Sequence, residues 1–169
     1  MSAQVSRTVI DSLEFARAGQ MVRGSLAVSG LTRLDDSLYD NLGLVDFVVQ
    51  GGQDAWHRPT LMLDVAGLLH LKCQRCLGQL DFPLRIGSTL LLVSAAEAEA
   101  SGLDDEEIEW IEPSPELDVG ALVEDEIILA LPYSPRHAEG KCPGDRQQVP
   151  TDASQSAFAK LAALKRNLN

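Results

Sequence analysis

The sequence contains no G-x-G-x-x-G, no phosphate loop ending in Gly-Lys-Ser/Thr, no H-E-x-x-H and no G-x-S-x-G. The usual anchors of dinucleotide, nucleotide, zinc-protease and hydrolase chemistry are therefore missing. Histidine occurs only three times, as His57, His70 and His137, and none has a nearby Ser or Cys at the spacing of a local catalytic signature. Catalytic partners can come from distant positions, so this weighs against an enzyme by composition rather than by geometry. The expectation is a protein that is not an enzyme. A basic leader followed by an unbroken apolar stretch is also lacking, because Asp11, Glu14, Arg17 and Arg23 interrupt every run in the first thirty residues. No secretory signal is expected. The longest apolar tracts, residues 61–71 and 89–93, are too short or too interrupted to span a bilayer. Three cysteines, two of them only three positions apart, do not make a disulfide framework, and a soluble protein of the reducing cytoplasm fits best.

What is present is acidic charge, in one place. The 169 residues carry 14 Lys plus Arg against 25 Asp plus Glu, a formal net charge of −11. Residues 94–131 hold 13 acidic side chains and no basic one, whereas residues 1–93 are nearly neutral and residues 132–169 are mildly basic. Nonspecific binding to nucleic acid comes from cationic side chains displacing counterions, and the chain as a whole is poorly suited to it. A block of like charge is most simply a solvated face, and its functional alternative is a docking surface for a basic partner.

At 45% apolar, the chain has enough hydrophobic material for one core of ordinary size. From about Met21 to Val93 apolar residues alternate, as a half-buried strand requires. Val22, Gly24, Leu26 and Val28 share one face, and Val45, Phe47 and Val49 share another in a segment that should stop at Gly51-Gly52. Leu61, Leu63 and Val65 precede Gly67, after which Leu69, Leu71 and Cys73 keep the same parity, so that Gly67 reads as a bulge or tight bend. Leu80, Phe82, Leu84 and Ile86 alternate again, with Pro83 pointing to an edge position or a bulge. No helical crossover separates these segments, which favours an antiparallel sheet or open barrel. Residues 94–101, rich in Ala and Glu, form a short helix or a loop, and Pro113 and Pro115 forbid a continuous helix beyond them. Asp118 stands as an N-cap for a helix whose Val119, Val123, Ile127 and Ala130 recur at helical spacing, with Leu122 and Leu129 widening the stripe and Pro132 ending it at Leu131. Within that helix Glu124, Asp125 and Glu126 form an acidic patch.

The predicted class is thus α+β: an antiparallel sheet or open barrel with a buried amphipathic helix and a C-terminal helix. Residues 1–137 form one domain, with strands over 20–93 and the acidic segment and helix over 94–131. Residues 138–153 form a flexible linker. Residues 154–169 form a basic amphipathic helix, with Lys165 and Arg166 near its C-terminal end.

The one compact polar constellation is Cys73-Gln74-Arg75-Cys76. A redox pair normally opens a helix, where the dipole stabilises thiolate. This pair follows a strand and precedes a Leu77-Gly78 turn into another, so redox chemistry is disfavoured. Zinc needs about four ligands, and Cys73, Cys76, His137 and Cys142 supply them if the later loop folds back to the strand end. The spacing of the second half is unusual. Structural cysteines, with Arg75 as a surface contact, are the favoured reading and zinc the alternative.

Three runs together resemble the bacterial YceD family. They are Leu71-Lys72-Cys73-Gln74-Arg75-Cys76-Leu77, then the stretch from Leu122 through Glu124-Asp125-Glu126 to Pro132 followed by Pro135, His137 and Cys142, and the closing run from Phe158 to Lys165. The resemblance implies a factor needed for synthesis, processing or stability of the 23S RNA of the large ribosomal subunit. Members in some other bacterial groups carry a richer cysteine cluster where this chain has only His137 and Cys142. Two mechanisms follow. In one, the acidic face at Glu124, Asp125 and Glu126 docks a basic ribosomal or processing protein; in the other, Lys72, Arg75, Lys160, Lys165 and Arg166 contact the RNA directly. The first is preferred, because five cations support only a modest counterion-release contribution.

Overall fold

The computed structural model describes residues 8–101 and 108–143. The chain divides into two compact units, Met1–Arg136 and His137–Asn169.

The first unit opens with a short strand, β1 (Val9–Ile10), and a six-residue helix, α1 (Ser12–Arg17). Strand β2 (Met21–Ala27) leads through the 3-10 turns Val28–Gly30 and Thr32–Leu34 into β3 (Leu44–Gln53), β4 (Pro59–Lys72) and β5 (Gln79–Leu92). Helix α2 (Ala95–Ser101), β6 (Trp110–Ile111), β7 (Leu117–Asp118) and helix α3 (Val119–Ala130) follow. Five strands form one open, curled sheet in the order β2-β3-β4-β5-β6, antiparallel except for the β5–β6 pair, and β1 pairs antiparallel with β7. The expected α+β class with an antiparallel sheet is found. The expected C-terminal helix, with Lys165 and Arg166, and the linker beyond residue 143 lie outside the described residues.

Alternation decides which side chains enter the core. Val45, Phe47 and Val49 of β3, and Leu61, Leu63 and Val65 of β4, face inward and are buried with Leu84 and Leu90 of β5. Each such side chain contributes roughly 1.5–3 kcal/mol when fully buried. Phe15 of α1 and Val119, Leu122, Val123 and Ile127 of α3 complete this core. A smaller cluster on the opposite face joins Leu91 to Ala98 of α2, with Ile108 and Trp110 against them.

Two glycines do something other than the alternation implied. Strand β3 does not stop at Gly51-Gly52; both pair with β4, opposite Leu61 and Thr60. Gly51 is instead where α1 crosses the sheet: a Cβ there would collide with the Phe15 carbonyl oxygen and lie 2.7 Å from Ala16 Cα. Gly67 makes no bulge, since it pairs with Val45 and Leu84 in an unbroken register. It admits the close approach of β3, where a Cβ would come within 3.0 Å of Leu44 O. Pro83 does occupy an edge, because among the described residues β5 is paired on its outer side only at Leu91 and Leu92.

The helix ends follow from local capping. Asp11 Oδ1 accepts from Glu14 N at 2.9 Å and starts α1. In α2, Ser94 and Glu97 cap reciprocally: Ser94 N and Oγ donate to Glu97 Oε2, and Glu97 N donates to Ser94 Oγ. Asp118 Oδ1 accepts from Gly120 N at 2.9 Å and Ala121 N at 3.3 Å, and α3 ends at an extended Leu131 before Pro132, as expected. Leu129 departs from the expected stripe. It lies in the last turn on the Leu122 side of the helix and is 78% exposed.

Candidate functional site

Lys72 ends β4 and Gln79 begins β5, so Cys73 to Gly78 is the hairpin turn that joins them. Cys73 N donates to Gly78 O at 3.0 Å and Leu77 N donates to Cys73 O at 2.9 Å. Leu77 accepts a left-handed φ of +57°, which an L side chain adopts only where its surroundings hold it. The turn places Cys73 fully buried, Cys76 half-buried and Arg75 exposed. The backbone N–H of Gln74 donates to Pro135 O at 2.8 Å, fixing the end of the first unit to this turn. As expected, neither cysteine opens a helix, and the dipole that would lower a redox thiol is absent from the turn.

In the second unit, Lys141 N donates to Ala138 O at 3.0 Å around Gly140 (φ +69°), and the turn sets Cys142 Sγ 3.7 Å from His137 Nδ1. Cys73, Cys76, His137 and Cys142 form a Cys/His group near enough to hold a metal ion, their donor atoms lying within 4.8 Å of one another. Three sulfurs and one imidazole nitrogen are a donor set of structural zinc sites.

The acidic residues of α3 do not share one solvent-facing surface. Glu124 is 8% and Glu126 7% exposed. Glu124 Oε1 accepts from Arg33 N and its Oε2 from Arg33 Nε, both at 2.9 Å. Arg33 Nη1 donates to Asp125 at 2.6 Å and Nη2 to Ala121 O at 3.1 Å. These two carboxylates hold the Arg33 guanidinium still further into its charged form. Glu126 accepts from Ser88 Oγ at 2.7 Å across to β5. Only Asp125 keeps a half-exposed side chain. Arg33 thus clamps the second 3-10 turn onto α3 across a separation of 91 residues. The sequence offered no local signal for it, as a lone arginine has no periodicity.

The remaining histidines lie elsewhere. His70 Nδ1 is 2.9 Å from the Asp40 carboxylate, which a hydrogen bond from Leu42 N, followed by the His70 contact, keeps below its ordinary range. His57 sits at the tip of the β3–β4 hairpin with φ +62°. Among the described residues no helix is long and apolar enough to cross a membrane.

No curated protein and no solved structure matches the chain. Residues 61–165 match the family described as Large ribosomal RNA subunit accumulation protein YceD, a span that takes in β4 from Leu61 onward, the cysteine turn, α3 and both residues of the second Cys/His pair. With that match covering well over half of its length, the chain belongs to the YceD family.

Proposed function

We propose that the chain is a non-enzymatic, cytoplasmic factor that supports synthesis, processing or stability of 23S RNA in the large ribosomal subunit by docking a basic ribosomal or processing protein. The observation that carries this reading is the family match, whose description names accumulation of the large-subunit RNA. Charge supports a protein intermediary: 13 carboxylates and no cation over residues 94–131 repel phosphate and attract a basic surface. On α3 all three carboxylates are engaged within the fold, Glu124 and Asp125 by Arg33 and Glu126 by Ser88, and of the three Asp125 alone keeps a half-exposed side chain. Fractionation of ribosomal particles from cells lacking the protein tests the reading, with accumulation of a large-subunit precursor expected. A normal large-subunit profile and normal 23S RNA would overturn it. A pull-down repeated with ribonuclease separates the two mechanisms, because loss of every ribosomal partner on RNA digestion would favour direct RNA contact through Arg75, Lys165 and Arg166.

The Cys/His group favours a second element, a structural zinc ion held by Cys73, Cys76, His137 and Cys142. Bound zinc would fix the thiols as thiolates and couple the site to folding. Metal analysis of protein purified without chelator should find close to one equivalent of zinc, and Cys73→Ser with Cys76→Ser should lose it and lower stability. Less than about 0.1 equivalent, with unchanged stability in the double variant, would return the cysteines to a purely structural role.

A further inference from the structure

The outer face of the sheet, away from the main core, carries two adjoining cavities of about 410 and 420 Å³ that share Gly87 in their lining. The first lies among Asp46, Asp64 and Arg85. The second is walled by Asp54, Trp56 and Arg58 of the β3–β4 hairpin and by Glu109, next to β6.

The hairpin holds Trp56 outward by design of its hydrogen bonds. Asp54 Oδ1 accepts from Trp56 N at 2.9 Å and from Arg58 N at 2.8 Å, its Oδ2 accepts from Arg58 Nε at 2.6 Å, and Asp54 N donates to Arg58 O at 3.0 Å. The Arg58 guanidinium carbon stands 5.1 Å from the Trp56 ring centroid. Trp56 nevertheless remains 74% exposed. A large indole kept in water on a braced loop loses little further freedom on binding, which is the energetic advantage of preorganisation.

The charge of the groove selects the partner. Its carboxylates are Asp46, Asp54, Asp64 and Glu109, against Arg58 and Arg85. Arg58 is paired with Asp54, and Glu109 has no ion-pair partner among the described residues. Phosphate would be repelled here, whereas a guanidinium finds an aromatic face and a carboxylate together. Gly87 is not demanded by packing, since a Cβ there would meet nothing nearer than Asp64 Oδ1 at 3.7 Å. What a side chain at 87 would do is occupy the floor that both cavities share.

The geometry points to a docking groove for an extended, arginine-bearing segment of a basic protein, with one guanidinium between Trp56 and Glu109 and a second reaching Asp64 and Asp46 across Gly87. The partner class rests on the proposed function; the groove itself does not. The test uses the full chain and a fluorescein-labelled acetyl-Gly-Arg-Gly-Arg-Gly-Arg-Gly amide, followed by anisotropy, with the Glu-for-Arg peptide and an oligouridylate as controls. Saturable, salt-sensitive binding of the arginine peptide alone is expected. Glu109→Lys and Gly87→Val should each weaken it about tenfold or more, and Trp56→Ala about threefold. Gly87→Val should leave thermal unfolding unchanged, and Glu109→Lys supplies an independent disruption should valine disturb the strand. No saturable binding, equal binding by all three variants, or preferential binding of oligouridylate lost in Trp56→Ala would overturn the proposal. If peptide binding fails while cells lacking the protein still accumulate a large-subunit precursor, the groove is wrong and the proposed function stands.

Discussion

Helix α3 and the outer groove both gather carboxylates, and they use them in opposite ways. On α3, Glu124 receives two hydrogen bonds from Arg33 and Glu126 one from Ser88, so both charges are satisfied within the fold. In the groove, Glu109 is exposed and has no ion pair among the described residues, and the Asp54–Arg58 pair is spent on holding a hairpin. Acidic residues close in sequence are therefore not one surface. The number of partners each finds inside determines which remain available to a ligand. Complementary substitutions in the two regions should separate stability from binding.

The largest effect should come from the apolar side of α3. Ile127 is fully buried, and Ile127→Ala should cost about 3 kcal/mol in urea unfolding through the cavity it leaves. The folded fraction should keep its affinity for the arginine peptide. A parallel loss of affinity would show that helix and groove are one cooperative site.

Glu124→Ala should come next, at about 2 kcal/mol, because it strands the Arg33 N–H as well as removing a carboxylate. Glu126→Ala removes only the Ser88 contact and should cost about 1 kcal/mol. Glu109→Ala should change stability by less than about 0.5 kcal/mol while weakening peptide binding. If Glu109→Ala destabilises as much as Glu124→Ala, the contrast between the two regions fails.

The half of this contrast that was readable in sequence is the local half. Asp118 and Pro132 bracket α3 by capping and backbone restriction, and the alternation around Cys73 and Gly78 located the hairpin turn. Helix α1 was missed although Asp11 and Glu14 stand at the spacing of an N-cap signal, because six residues give too short a periodic pattern to detect. Gly51 looked like a strand end because its reason lies in α1, brought over it by the fold. The same applies to Arg33: it became a partner of Glu124 only after the chain between them had folded. The groove was equally hidden, since Trp56, Gly87 and Glu109 meet only through the pairing of β4, β5 and β6.

The smallest expected effect concerns acid, and it tests whether Asp54 is what braces Trp56. Burial pushes the Asp54 carboxyl up, but hydrogen bonds from Arg58 N, the Arg58 guanidinium and Trp56 N outweigh it and hold the group below its ordinary range. A depressed folded-state pKa means that the stabilisation is complete above the ordinary carboxylate value, near pH 4, and is lost as pH falls through the lower folded value. His57, next to Trp56 in sequence, is first replaced by Asn, which tolerates the left-handed φ and carries no ionisable group. In that background the Trp56 indole N–H resonance should hold steady from about pH 7 down to about pH 4 and move only below it. Asp54→Asn should abolish that movement. An indole that instead shifts steadily between pH 7 and pH 5 would mean that another group sets the hairpin, and that the aromatic wall of the groove is not braced by Asp54.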